Sequence, residues 1–206
     1  MKRLLCLLLV CLMIFSGCAA DPEPAVAEML GTLENDVYTS AFGFAIDLEG
    51  MRINTAQELA VMNQLEDGVF TEEALMKKTK DGIAVGILSA APMESDGTLI
   101  LSLALCSELP HTIQSAEDYA EYGLSTIPGK LERAGYTDVQ VRRISVTLDD
   151  GEHPAILCSA KLTDDIPYHL LQVCFREGDW MGGLSLSSLS SEEALRQLLT
   201  RVSSIQ

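Results

Sequence analysis

Hydrophobic residues in this chain follow two different periods, and the changes between them mark the elements. Residues 37–48 are rich in β-formers around Phe42-Gly43-Phe44, which predicts one or two short strands with Gly43 at a bend or bulge. Thr55 with Glu58 is a capping box, predicting a helix through Leu59 and Met62, and a second short helix follows Thr71. Residues 83–90 and 98–107 then read as two strands joined by a loop holding Pro92 and Asp96-Gly97. Ser115 with Asp118 opens the longest predicted helix, with Ala120, Leu124, Ile127, Leu131 and Ala134 on its apolar face. Pro128 lies inside that helix, and a proline there lacks a backbone donor and clashes with the preceding turn, so a kink or break is expected, softened by Gly129. Four strands of a meander follow at 138–148, 154–162, 167–176 and 180–188, with turns at Asp150-Gly151, Asp164-Asp165 and Glu177-Gly178-Asp179. Ser190 with Glu193 is a further capping box, and Leu195, Leu198, Leu199, Val202 and Ile205 line one face of a closing helix.

Parity along the strands sets the architecture. In 99–106 one parity carries Leu99, Leu101, Leu103 and Leu105, and the other carries Ile100, Ala104 and Cys106. In 155–162, Ile156, Cys158, Ala160 and Leu162 share one parity, with Ala155 and Leu157 on the other. A sheet with one wet face alternates between apolar and polar, so this pattern predicts coverage of both faces. The fold class expected is α+β, a mostly antiparallel sheet with helices on both faces.

The first residues have a different character. Lys2 and Arg3 precede an apolar run of twelve residues, Leu4 to Phe15, and then Phe15-Ser16-Gly17 leads to Cys18. A run of that length suits a signal-peptide core, whereas a membrane-spanning helix needs about twenty residues. The segment resembles a bacterial lipoprotein signal with its lipobox, although Phe15 stands where such motifs usually carry Leu. The resemblance implies acylation of Cys18 by a diacylglyceryl group, with palmitate as a typical chain, and cleavage before it. The expected organisation is a signal peptide at 1–17, the lipidated Cys18 with a tether over 18–35 that holds a turn or two of helix, and one domain at 36–206. Fully extended, the tether reaches up to roughly 50 Å from the membrane.

Charge narrows the partners. The formal net charge is −16, and loss of Lys2 and Arg3 with the signal takes it to −18. Nucleic acid and anionic lipid head groups would both be repelled, since the densest basic cluster is only Lys77, Lys78 and Lys80. Membrane attachment on this reading comes through lipid on Cys18, for which two acyl chains suffice. Cys106, Cys158 and Cys174, an odd number in three separate segments, read as free packed thiols rather than a disulfide framework.

Candidate chemistry is sparse. The sequence contains no Gly-rich phosphate loop, no Gly-x-Ser-x-Gly elbow and no His-Glu-x-x-His helix, and it implies no cofactor. His111, His153 and His169 lack metal-ligand spacing, and Asp149-Asp150-Gly151-Glu152 lacks the ligand pattern of a calcium loop. The sequence offers one nucleophile pair, Cys158 and His169. A two-residue turn at Asp164-Asp165 would make Cys158 oppose Leu171 and lie diagonal to His169 on one face, within reach of a long side chain. Its neighbours Ile156, Ala160, Leu171 and Val173 read as core, and a one-residue change of register would separate the two residues. Tyr119, Tyr122 and Trp180 offer an aromatic contact surface, or ordinary packing against the sheet.

Tyr38-Thr39-Ser40-Ala41-Phe42-Gly43-Phe44, the helix start at Thr55, Ile113-Gln114-Ser115-Ala116-Glu117-Asp118-Tyr119, and a meander followed by a final helix resemble small lipoproteins of Gram-positive bacteria that carry a PsbP-like domain. The resemblance implies a PsbP-like α/β/α sandwich and a non-catalytic binding or assembly role at the extracytoplasmic face of the membrane, with an unidentified protein partner. An enzyme with an unrecognised site and a small-ligand or metal carrier are the alternatives.

Overall fold

A computed structural model describes residues 31–65, 68–162 and 165–204. In chain order the elements are β1 (Gly31–Glu34), β2 (Val37–Ser40), β3 (Phe44–Asp47), β4 (Met51–Ile53), α1 (Ala56–Met62), α2 (Glu72–Lys80), β5 (Val85–Pro92) and β6 (Thr98–Leu105). A 3-10 turn at Cys106–Glu108 leads to α3 (Ala116–Arg133), the strands β7 (Thr137–Leu148), β8 (Gly151–Lys161), β9 (Pro167–Glu177) and β10 (Trp180–Ser188), then α4 (Glu192–Leu199) and β11 (Val202–Ser204). Seven strands form an antiparallel sheet in the order β4-β5-β6-β10-β9-β8-β7, and β1-β2-β3-β11 form a second, smaller one. The α+β expectation holds, with helices on both faces of the large sheet.

One face of that sheet carries Leu99, Leu101, Leu103, Leu184, Leu186, Leu171, Val173, Ala155 and Leu157 into the main core. Tyr38, Phe44 and Ile46 of the small sheet, Leu75 of α2, and Leu195 and Leu198 of α4 close over it. Phe44 and Phe175 sit with ring centroids 4.6 Å apart, and Gly182 makes room for Phe42, whose Cζ would lie 2.8 Å from an added Cβ. On the opposite face α3 covers β7 to β9 through Ala120, Ile127 and Leu131. Its close approach uses Gly123, where a Cβ would fall 2.2 Å from Ile156 Cδ1.

Local chemistry explains the element starts. Glu58 N–H donates to Thr55 Oγ1 at 3.3 Å while the Glu58 carboxylate accepts from Thr55 N–H at 2.9 Å, closing the expected box. Thr71 caps α2 and Ser115 caps α3 in the same manner, each accepting from the amide three residues on. The two edges of the large sheet differ. Beside β5, Asn63 acts as a substitute strand, its amide nitrogen donating to Gly86 C=O and its oxygen accepting from Gly86 N–H, both at 2.7 Å. At the other edge lies β7, twelve residues long.

Several expectations are corrected. Strand β1 begins at Gly31, inside the segment read as tether, because Gly31 to Glu34 pair with Val37 to Ser40 in a hairpin. Helix α3 runs through Pro128 without a break. The cap of α4 is Ser191, not Ser190, because the Asp96 carboxylate engages Ser190 Oγ at 2.9 Å together with Ser188 Oγ and Leu189 N–H. The closing helix stops at Leu199, and Val202–Ser204 instead joins β3 as a strand, so Val202 meets Ile46 rather than extending a helical face. Ile205 lies outside the described residues.

Coverage of the second face is also incomplete. Met181, Gly183, Ser185 and Ser187 of β10 share that face with Ile100 and Ser102 of β6 and Gln172 of β9. Ser102 Oγ donates to Gly183 C=O at 3.1 Å, and Ile100, Ser102, Ser185 and Gln172 are only half-buried. The alternation Gly-Leu-Ser-Leu-Ser in β10 is that of a strand with one wetter side.

Candidate binding site

The meander's register decides which polar groups meet. Ala155 pairs with Val173 and Lys161 with Pro167, so Cys158 faces Leu170 and Ser159 faces His169. This is one residue away from the register expected of a two-residue turn. The connection is closed by Leu162 N–H donating to Ile166 C=O at 2.8 Å, which leaves three residues between, and Asp165 takes a φ of +60°. A slip of one residue turns every side chain to the other face. Cys158 and His169 therefore lie on opposite sides of the sheet and form no nucleophile pair.

The same slip places Cys158 and Cys174 on one face, whereas Cys158 opposite Leu171 would have put them on opposite faces. They remain free thiols, as does Cys106. Cys174 lies four residues along β9 from the partner of Cys158, about 13 Å at strand rise. A disulfide needs Cα atoms about 4.4 to 6.8 Å apart. Burial pushes the Cys158 thiol up to about 11. Burial likewise takes Cys174 to about 12, against a smaller downward pull from Arg143. Both are fully buried, Cys158 near Leu131 and Tyr136, Cys174 near Ala120 and Ile156. These groups pack; they do not attack.

The register also builds a row of polar side chains. Gln140, Ser159, His169 and Ser188 are direct cross-strand partners on four adjacent strands, so their side chains share a face. The next row inward on that face is Arg142, Leu157, Leu171, Leu186 and Leu99, apolar once past the exposed Arg142. Arg142 reaches Glu192 of α4 at 3.9 Å, which places the start of that helix beside the boundary. Outside it, a cleft of about 580 Å³ opens over Gln140, Ser159 and His169, rimmed by Asp138, Lys161 and Pro167.

At its rim two carboxylates share one ammonium. Lys161 Nζ lies 3.0 Å from Asp138 and 3.4 Å from Asp165, and the Asp138 contact leads in holding the ammonium above its ordinary range. Asp138 sits in a β-bulge between Thr137 and Gln140 with a φ of +52°, which turns its carboxylate toward Lys161. Gln140, Ser159 and His169, by contrast, make no side-chain hydrogen bond among the described residues. The Nδ1 atom of His169 is buried without a partner there.

A second cleft, of about 330 Å³, occupies the other end of the β8–β9 pair and is lined by Phe42, Glu152, His153, Phe175, Arg176 and the start of α3. Most of its polar groups are engaged. His153 Nε2 lies 2.9 Å from Asp150 Oδ1, which also accepts from Ser204 Oγ at 2.6 Å. Ser115 binds Asp118, and Arg176 donates to the carbonyls of Gln114 and Gly178. The ring of His153 packs 5.0 Å from that of Phe175.

The remaining candidates scatter. His111 lies in an exposed turn where its carbonyl accepts from Gln114. Tyr119 packs beside Ala120 and Ile156, its phenol pushed up to about 12 chiefly by burial, while half-buried Trp180 packs into the core on the opposite face. The aromatic residues therefore form no common surface. Among the described residues, no group of three or more His, Cys, Asp or Glu side chains is arranged to hold a metal, and no helix is long and apolar enough to cross a membrane. Cys18, the lipidation candidate, lies outside the described residues.

No protein-family model matches the chain, and no curated protein does. Among solved structures the chain is similar to the solution structure of cyanobacterial PsbP (CyanoP) from Synechocystis sp. PCC 6803, with a TM-score of 0.46 and 9% identity, covering 92% of this chain and 98% of that one.

Proposed function

We propose that the protein is a lipid-anchored, extracytoplasmic, non-catalytic binding module that meets its ligand at the cleft over Gln140, Ser159 and His169. The observation that supports binding is that row itself: three polar side chains free of other partners among the described residues, on a platform of hydrogen-bonded strands. The separation of Cys158 from His169 removes the one nucleophile pair that favoured an enzyme. The support for the anchor is the basic, apolar and small-residue pattern ending at Cys18. Twelve residues separate Cys18 from β1, enough to let the domain stand up to roughly 40 Å from the bilayer.

The test is to express the full chain with an alkyne-bearing palmitate analogue in a bacterium that processes lipoproteins. The wild type should carry the label and sediment with membranes, and Cys18→Ala should lose the label and leave the membrane fraction. A labelled Cys18→Ala chain would remove the anchor from this reading. In parallel, iodoacetamide should leave Cys158 and Cys174 unmodified until the domain is denatured, and rapid alkylation of either in the folded protein would reopen the enzyme.

A further inference from the structure

We propose that the cleft over Gln140, Ser159 and His169 binds a neutral polyhydroxylated ligand, a saccharide unit, an inference that rests on the binding role above and specifies its ligand. Charge gives the first reason. The ammonium of Lys161 is held between Asp138 and Asp165, so it offers no uncompensated positive charge to an anion. The two carboxylates outnumber the ammonium by one, so the rim keeps a net charge of −1 that repels anions, and a cationic probe tests whether it draws a cation instead. The formal charge of −16 over the whole chain repels anions further.

Hydrogen-bonding capacity gives the second. An amide, a hydroxyl and a neutral imidazole each present a donor and an acceptor. The ligand that matches such a set gives and accepts hydrogen bonds from closely spaced neutral groups, as the hydroxyls of a sugar do. A purely apolar ligand would leave Gln140 and Ser159 desolvated and unpaired, which opposes binding. His169 lines the cleft with its Nδ1 closed off from solvent and without a partner among the described residues, so a ligand hydroxyl would meet the opposite edge of the ring.

Shape agrees. The three side chains stand on neighbouring strands about 4.8 Å apart, a row of roughly 10 Å, room for one or two sugar rings. Pro167 lines the same cleft and offers apolar surface to the C–H groups of a ring. Strand pairing on both sides of Ser159 fixes the row before any ligand arrives, which lowers the ordering cost of binding.

The experiment uses the isotope-labelled protein and follows the side-chain amide of Gln140, the backbone amide of Ser159 and the ring nitrogens of His169 by NMR. The probes are maltose and N,N′-diacetylchitobiose, with citrate and spermidine as charged counterparts. The expected result is a saturable shift of these signals with at least one disaccharide and with neither charged probe, the His169 ring included. Ser159→Val and His169→Phe should each weaken that binding by about tenfold while leaving amide signals remote from the cleft in place. Gln140→Leu at the exposed rim provides a third variant that does not depend on the packing of the floor. Shifts with citrate or spermidine instead of a sugar would overturn the ligand class and leave the binding role standing. Sugar-induced shifts confined to other parts of the sheet, or none with any probe, would overturn the site. Release of monosaccharide from either disaccharide would overturn the non-catalytic role itself.

Discussion

The two clefts occupy opposite ends of the same pair of strands. At the end where β8 begins and β9 finishes, His153 is bound to Asp150, Asp150 to Ser204, Ser115 to Asp118, and Arg176 to two carbonyls. At the end where β8 finishes and β9 begins, Gln140, Ser159 and His169 have no such commitments among the described residues. Ties among Asp150, His153 and Ser204 fasten β11 to the β7–β8 turn, so the polar chemistry of the first cleft holds the fold together. Polar chemistry at the second cleft adds little to stability and is available for recognition. Mutational cost should therefore fall steeply from the first cleft to the second.

The largest effect is expected at Phe175, which walls the first cleft and packs against Phe44 and Phe42. Phe175→Ala should cost about 3–5 kcal/mol in urea unfolding. Gly182→Ala should cost about 1–3 kcal/mol, because its Cβ would fall 2.8 Å from the Phe42 ring, which must shift. A fully neutral result would show that the aromatic cluster has slack the packing does not suggest.

Asp150 comes next. Its hydrogen bonds from Ser204 and then His153 hold the carboxyl below its ordinary range. With the folded pKa depressed, its contribution is present above the unfolded value near 3.9 and is lost as pH falls through the lower folded value. The side chain is 41% exposed, so solvent screening keeps the energy to about 1 kcal/mol or less. Protection of Val202 to Ser204 against hydrogen exchange, measured relative to the intrinsic rate at each pH, should fall as the pH drops below about 4, and Asp150→Asn should flatten that dependence. An unchanged profile in Asp150→Asn would mean that β11 is held by its pairing with β3 alone. Smallest of all, Ser159→Ala and Gln140→Ala should each alter stability by no more than about 0.5 kcal/mol.

Much of this architecture was legible before any coordinates. The strands β7 to β10, the caps at Thr55, Thr71 and Ser115, and the apolar stripe of α3 follow from local pattern, and each lies close to its expected position. What could not be read is what depends on counting residues through a turn. Assigning two residues to the Asp164-Asp165 connection instead of three joined Cys158 to His169, and the same miscount hid the row from Gln140 to His169. No local propensity separates the two registers, since both put apolar residues on both faces of β8. Met51–Ile53 was missed because three residues carry too little pattern; the start of α4 lies one residue on because Asp96, some ninety residues upstream, recruits Ser188 and Ser190, and its end comes early because residues 202–204 pair with β3. The wetter surface over β6 and β10 did have a signal, the Leu-Ser alternation of 184–187.

The row over the second cleft is held in place by the fold without supporting it. A chain carrying Gln140→Ala, Ser159→Ala and His169→Ala together tests this most directly through its unfolding free energy in urea beside the wild type. The expected difference is within about 1.5 kcal/mol, about 0.5 kcal/mol for each truncated side chain. A loss of about 3 kcal/mol or more, of the size that follows from breaking a buried hydrogen-bond network, would contradict it and make the row part of the scaffold.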